Sequence, residues 1–461
     1  MAGERKLAII VLAAGKGKRM HSRVPKVLHE LCGRPLLSYV LDAIVPLNCE
    51  VVLVVAPESR EVRALVGDVC FAQQKEPLGT GHAVMVALEG LDPSFEEVLV
   101  IPGDSPMVSS GTLTRLLEAL REREAAASVL VTELDDPTGY GRVVRYGGSV
   151  SKVIEERDAD EGQRSIHEVS VCTYAFDRAS IEHALRGLGK DNAQGEYYLT
   201  GVVESLIAAG KEVVAVECEP VEAFGINDHR QLAKADAIMR SRINESLMAS
   251  GVTMVDPATT YIDHGVRVGR DTVLMPSTLL LGKTTVGEGC TIGPFTKIKD
   301  SSVGNSASVE FSWLDGCDVG EGVGIGPYAK VRPGCTLGPD AKVGSFVELK
   351  KTTLGKGSKV PHLSYIGDAT IGEDVNVGAG SITCNYDGDC KHRTEIGDRA
   401  FIGSDTMIVA PVRIGDDAVT GAGSTIYRDV PDGALGIERN EQENVEGYSK
   451  KKRKSRRKKA D

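Results

Sequence analysis

The chain has 461 residues, too many for one ordinary core, and its 41% hydrophobic and 26% charged composition is that of a soluble protein with two or three domains. No apolar run approaches the roughly 18 residues of a membrane span, and the N-terminal MAGERKLAIIVLAAGKGKR lacks the small-residue cleavage pattern of a signal peptide. The net charge of −11 includes nine positive charges in KKKRKSRRKK (450–459); subtracting them leaves −20, a body that phosphate backbones repel, which argues against nucleic-acid binding.

The ten cysteines are scattered without a CxxC, and Cys384 and Cys390 near His392 lack the usual zinc spacing. Reduced thiols in a cytoplasmic protein are expected.

Residues 1–228 alternate strand-like and helix-like segments. LAIIVLA, VVLVVA (51–56), EVLVIPGD (97–104) and SVLVTEL (128–134) are short and almost continuously apolar, as buried parallel strands are. GTLTRLLEALREREAAA (111–127) reads as a helix between them. The alternation predicts an α/β domain with a mainly parallel, Rossmann-like sheet, whose ligands bind at the carboxyl ends of the strands. Residues 229–252 read as a connecting helix, with Leu232, Ala235, Met239, Ile243 and Leu247 at steps of three and four, ended by Gly251.

Between 253 and 440 the period becomes six. Ile262, Val268, Leu274, Leu280, Val286, Ile292 and Ile298 keep one phase, and Val319, Ile325, Val331, Leu337, Val343 and Leu349 keep it again after a shift. Leu354, Val360 and Ile366 follow, then Ile396, Ile402, Ile408 and Ile414. Such a repeat predicts a parallel β-helix with the aliphatics inside and with glycines and small residues turning the corners. TCNYDGDCKHRTE (383–395) breaks the phase and is expected as a loop expelled from the coil. Residues 441–461 form a basic tail, expected to lack fixed structure and to be a solvated end or a docking segment for anionic surfaces.

LAAGKGKRM (12–20) follows the first strand, where Gly15 and Gly17 let backbone N–H groups approach a phosphate and Lys16, Lys18 and Arg19 add positive charge. It is neither a Walker loop nor a dinucleotide GxGxxG. Followed by VPKVL (24–28), PLGTGHA (77–83), PGDSP (102–106) and GYGR (139–142), it resembles the sugar-1-phosphate nucleotidyltransferases. With the hexapeptide region attached, residues 7 to 440 resemble the family of bifunctional N-acetylglucosamine-1-phosphate uridyltransferase/glucosamine-1-phosphate N-acetyltransferases.

The resemblance implies a left-handed β-helix, a homotrimer and small-molecule substrates: glucosamine-1-phosphate, acetyl-CoA and UTP. It also implies Mg²⁺ as cofactor and supply of precursors for the cell envelope. For uridyl transfer it implies catalytic Arg19 and Lys26, a nucleotide loop at Leu12, Ala13, Ala14 and Gly15, and uracil contacts at Gln74, Gly79 and Thr80. Gly103 borders Asp104, which with Asn227 matches the magnesium ligands, and Gly141, Glu155 and Ser170 match sugar contacts. Ser170 departs from the family's usual asparagine and reaches less far.

In the β-helix, PHLSYIGDA, NVGAG and TCNYDG carry the resemblance, and His362 matches the general base. A histidine titrating near neutrality suits removal of an amine proton. Arg332, Lys350, Tyr365 and Asn376 match substrate contacts; Ala379, Asn385, Tyr386, Ser404, Ala422 and Arg439 match acetyl-CoA positions. A nucleotidyltransferase with an inert solenoid and a regulatory assembly subunit are the rival readings. His362 with Asn385 and Tyr386 speaks against the first; Lys26, Asp104 and Asn227 speak against the second.

Overall fold

A computed structural model of the chain describes residues 5–15, 17–67 and 69–457. Lys16 and the end of the basic run therefore lie outside the described residues. The chain divides into two compact units, Met1–Met239 and Arg240–Asp461.

The first unit is built on strands β1 (Leu7–Leu12), β2 (Glu50–Val55), β3 (Cys70–Gln73), β4 (Glu97–Pro102), β5 (Ala127–Glu133), β6 (Gly141–Tyr146), β7 (Ser149–Ile154), β8 (Glu168–Asp177) and β9 (Val213–Glu217). They form one sheet in the order β9-β5-β8-β4-β1-β2-β3, with β6 joining β8 and β7. β1 runs parallel to β2 and β4, and β3 parallel to β2. Strand β8 is antiparallel to both β4 and β5. The sheet is thus mixed, and the hairpin β6–β7 and strand β8 go beyond the four strands read from apolar runs.

Alternate residues of β1 serve two cores: Ala8 and Ile10 pack on one face, Ile9 and Val11 on the other. Coverage on both faces explains why the strand is apolar throughout rather than alternating. The helix expected over 111–127 spans Ser110–Glu122 instead. Glu124 takes a left-handed φ of 46° and Ala127 opens β5, so tertiary pairing overrides the helix propensity of the alanines.

A single helix, His229–Ala249, follows, and Gly251 beyond it has φ 99°. Ala235 and Met239 are buried within the first unit, whereas Ile243 and Leu247 pack on the core of the second.

The second unit is a parallel β-helix with three sheets of 11, 10 and 9 short strands. Ile262 pairs with Leu280 and Leu280 with Ile298, so 18 residues, three hexapeptides, complete one coil. The inward aliphatics form one continuous core. The phase shift arises where Val286 pairs with Val303 and Ile298 with Leu314, across coils shortened to 17 and 16 residues.

Of the glycines that follow the aliphatics, Gly293 and Gly326 turn with left-handed φ of 98° and 111°, as expected, whereas others have a different role. Left-handed corners are held by residues such as Asp271, Asp340 and Asp374, with φ of 60°, 59° and 54°; aspartate tolerates this conformation. A Cβ at Gly338 would lie 2.7 Å from the Lys356 nitrogen and 2.9 Å from the Gly355 carbonyl carbon. There glycine lets one coil settle on the next.

The strands Ile382–Cys384 and Thr394–Ile396 remain in the coil, so the expelled segment narrows to residues 385–393. The tail carries a helix, Tyr448–Arg457, in keeping with the helix propensity of lysine and arginine.

Candidate active sites

In the first unit the parallel pairing of β1, β2, β3 and β4 aligns their carboxyl ends, and the matched loops leave from there. The loop Leu12–Gly15 follows β1, with Ala13 N–H donating to Val54 O at 2.8 Å. Gly103 follows β4 and donates its N–H to Leu12 O at 2.9 Å, so the Asp104 turn lies against the nucleotide loop. Gln74 follows β3 and is buried; its Nε2 donates to Gly79 O at 3.0 Å. Thr80 opens a helix, Thr80–Glu89, and its Oγ1 accepts from Leu199 N–H at 3.1 Å. A cavity of about 80 Å³ is lined by Ala14, Ala56, Pro57, Gln74 and Pro77 among others.

Asp104 and Asn227, more than a hundred residues apart in sequence, meet at one cation. The Lys26 ammonium forms an ion pair with the Asp104 carboxylate and donates to Asn227 Oδ1 at 2.7 Å, and Arg19 Nη2 donates to the same oxygen at 2.8 Å. Asn227 is anchored by its own N–H, which donates to Gln231 Oε1 at 2.7 Å. A carboxylate and a carboxamide oxygen already gripping an ammonium make a donor set suited to a hard divalent cation that takes its remaining ligands from phosphate and water. Among the described residues no group of three or more His, Cys, Asp or Glu side chains converges as a metal cage.

The sugar-matching residues also gather. Gly141 pairs with Ser170, and Ile154, just before Glu155, pairs with Arg142. Burial raises the Glu155 pKa, opposed by the Thr200 hydroxyl, which donates to Oε1 at 3.1 Å. Ser170 is buried and shares a 2.9 Å hydrogen bond with the Tyr174 hydroxyl, so its Oγ is committed inside the fold. Thr200 and Tyr174 were not singled out from sequence; only the strand pairing brings them to Glu155 and Ser170.

In the β-helix, His362 ends the strand Lys359–His362 and is exposed, as an imidazole excluded from the apolar bore must be. Leu363 turns the corner with φ 50°, and Tyr365 starts the next side. Arg332 Nη1 donates to Glu348 Oε1 at 3.0 Å on the same sheet as Lys350 and Tyr365.

The expelled segment closes on itself as a small hairpin. Tyr386 bridges to Lys391, and Asp387 accepts from Cys390 N–H at 2.7 Å and pairs with His392 Nε2 at 2.6 Å. These bonds hold the Asp387 carboxyl well below the usual carboxylate range. The hairpin brings Lys391 to Lys350, whose side chain holds the Lys391 pKa below the usual lysine value. Lys391 was missed from sequence, although its place in the phase break was the available signal.

Asn385 is buried at the neck of this hairpin, whereas Tyr386 is 59% exposed. Asn376 lies on the strand Asn376–Val377, one coil beyond Lys359. Ala379 O accepts from Asp405 N–H, Ser404 O from Gly423 N–H, and Ala422 O from Arg439 Nη1 at 3.4 Å. These four residues thus mark successive coils beyond His362, forming a track rather than a pocket.

Comparisons with known proteins agree with both halves. The model of the MobA-like NTP transferase domain matches residues 9–176, and that of the bacterial transferase hexapeptide matches 316–351 and 393–428. The chain is 47% identical over 455 residues to the Bifunctional protein GlmU of Heliobacterium modesticaldum, spanning 97% of this chain and 99% of that one. It is also 47% identical over 445 residues to its namesake from Caldanaerobacter subterraneus (96% and 97% covered) and 45% over 447 residues to that of Halalkalibacterium halodurans (96% and 98%). With likeness along the whole length and both domain models in order, the chain belongs to the GlmU family of bifunctional transferases.

Proposed function

We propose that this enzyme makes UDP-N-acetylglucosamine in two steps, with His362 as base in the first and Arg19, Lys26, Asp104 and Asn227 serving the second. In the first step the amine of glucosamine-1-phosphate attacks the thioester carbon of acetyl-CoA. The C–N bond forms, the C–S bond breaks, and His362 takes the amine proton and passes it to the departing sulfur, so that CoA leaves as the thiol. Arg332 and Lys350 hold the sugar phosphate, and Tyr365 and Asn376 orient the sugar. Asn385 and Tyr386 meet the acetyl end of acetyl-CoA, while Ala379, Ser404, Ala422 and Arg439 carry its pantetheine arm and nucleotide.

In the second step the phosphate of N-acetylglucosamine-1-phosphate attacks the α-phosphorus of UTP and pyrophosphate leaves. Leu12 to Gly15 cradle the phosphates, Gln74, Gly79 and Thr80 hold the uracil, and Gly141 and Glu155 hold the sugar, the Ser170 hydroxyl being engaged by Tyr174 instead. Arg19 and Lys26 are the fixed cations, positioned before the substrates arrive. Asp104 and Asn227 would hold Mg²⁺, which would supply charge neutralisation at the triphosphate. The observation that carries the reading is the convergence of Asp104 and Asn227 on one cation in a chain that also presents His362 at a β-helix corner.

The working form is a homotrimer in the cytoplasm, feeding cell-envelope synthesis. Support for association is a column of apolar residues at one corner: Phe295, Phe311, Tyr328 and Phe346 stack in sequence, and Leu363 follows. Phe295, Phe346 and Leu363 are 64%, 61% and 63% exposed, more than a lone coil needs to leave uncovered. Among the described residues no helix is long and apolar enough to cross a membrane.

The test is His362→Ala. A positioned base is worth roughly 10² to 10⁴ in rate, so CoA release should fall by that factor, in turnover more than in acetyl-CoA binding. Uridyl transfer to supplied N-acetylglucosamine-1-phosphate should persist. Acetylation near the wild-type rate would remove His362 from the mechanism.

A further inference from the structure

Asp368 sits at the corner after the strand Tyr365–Gly367, with a left-handed φ of 51°. Its backbone is fixed between coils: its N–H donates to Lys350 O at 2.9 Å, and its carbonyl accepts from Thr394 N–H at 3.2 Å, just past the hairpin. Its Oδ2 accepts from Asn385 Nδ2 at 2.5 Å, a charge-assisted bond. Asn385 is otherwise tied at the hairpin neck, its N–H donating to Thr383 O at 3.0 Å and its O accepting from His392 N–H at 2.9 Å.

The direction of the Asn385 amide follows from chemistry. An ionised carboxylate only accepts, so the NH₂ of Asn385 must face Asp368 and the amide oxygen must face the other way. Gly367 makes room for this arrangement: a Cβ there would lie 2.8 Å from Asn385 Nδ2 and 2.5 Å from the Tyr365 hydroxyl oxygen. The amide and the phenol therefore converge over a bare backbone. Asp368 also acts electrostatically on Lys391, countering the repulsion between Lys391 and Lys350.

We propose that Asp368 is a positioning residue for acetyl transfer: its carboxylate locks the Asn385 side chain with the NH₂ turned inward and the oxygen presented to a substrate N–H. That N–H belongs either to the attacking amine or to an amide of the pantetheine arm. The proposal rests on the acetyltransferase reading of this face. Lys350, Lys391 and Tyr365 are titratable groups in the same neighbourhood; the charged lysines only donate and the Tyr365 hydroxyl can donate as well as accept, so the carboxylate is the acceptor-only partner that fixes the direction of the Asn385 NH₂.

The test is Asp368→Asn in the full-length enzyme. Asparagine tolerates the left-handed corner but can offer either its oxygen or its NH₂, so the Asn385 amide loses its enforced direction. Misplacement of a reacting group by about 1 Å costs about 10²-fold, so kcat/KM for acetyl transfer should fall by roughly 10- to 100-fold. A rise confined to the KM for acetyl-CoA identifies the pantetheine amide as the donor; a fall in kcat or a rise in KM for the amino sugar identifies the amine.

The same substitution is then made in an Asn385→Ala background, where it should cost less than about threefold, because the residue it acts through is gone. Gly367→Ala should weaken acetyl transfer in the same direction by displacing Asn385. Asp368→Asn within twofold of wild type, or an equal loss with and without Asn385, overturns the proposal. Wild-type enzyme that releases no CoA would instead overturn the acetyltransferase reading beneath it.

Discussion

The ammonium of Lys26 lies where the Asp104 and Asn227 oxygens meet, so under the proposed assignment a divalent cation would compete with this lysine for one pair of donors. Two side-chain cations, Lys26 and Arg19, cannot balance a triphosphate, and a metal must share the load. Asp104→Ala should reduce pyrophosphate release by about 10²-fold or more, the usual cost of losing a preorganised charge contact. CoA release should stay nearly intact, and a folded variant losing both activities together would refute the assignment. Glu155 makes a second claim at this scale. Burial raises its pKa in the fold above the value in the unfolded chain, so the protonated form is favoured. Its contribution to stability is present below the unfolded glutamate pKa and declines as pH rises through the folded value. Melting temperatures measured from pH 4 to 8 should show Glu155→Gln gaining on the wild type as pH rises; a difference that does not change with pH would argue against the half-buried carboxyl.

Among the elements, the coil's tolerance for side chains is the sharpest prediction. Gly338 abuts backbone atoms of the next coil, which cannot rotate away as a flexible side chain could. Gly338→Ala should destabilise the β-helix by about 1 to 3 kcal/mol, as overpacking does, measurable by thermal denaturation. An unchanged melting point would mean that the coils stack more loosely than described. The tail helix Tyr448–Arg457 has no such constraint: Tyr448 is 60% exposed and the remaining sequence has no apolar pattern. Truncation after Gly447 should leave both activities at wild-type rates, and loss of acetyl transfer with assembly intact would show a role for the tail.

Legibility of the elements followed their physics. The hexapeptide phase was readable because one aliphatic per side must enter the bore. It faded where a coil shortens, at Val303, Val309 and Leu314, and where a buried Thr383 takes an aliphatic's place opposite Ile408. Strand β8 was harder to read because Ser170, Cys172 and Thr173 interrupt its apolar run around a register shift. The matched site residues were legible as motifs. Their supports, such as Asp368 beneath Asn385 and Thr200 beside Glu155, depend on pairings that no local spacing encodes.

At the scale of the whole molecule, two chemistries share one chain, and assembly is part of the account. Light scattering of active enzyme should give three times the 49.0 kDa chain mass, and a fully active monomer would contradict the proposed trimer. Replacing Phe346 by Asp in the exposed aromatic column should weaken that assembly, read by the same method. The central claim is that one protein acetylates and then uridylylates the same sugar phosphate. The most direct measurement supplies purified enzyme with glucosamine-1-phosphate, acetyl-CoA, UTP and Mg²⁺ and follows free CoA and pyrophosphate together. Both should appear in equal final amounts, with CoA leading and pyrophosphate absent when acetyl-CoA is withheld; pyrophosphate released without CoA would rule out this sequence of reactions.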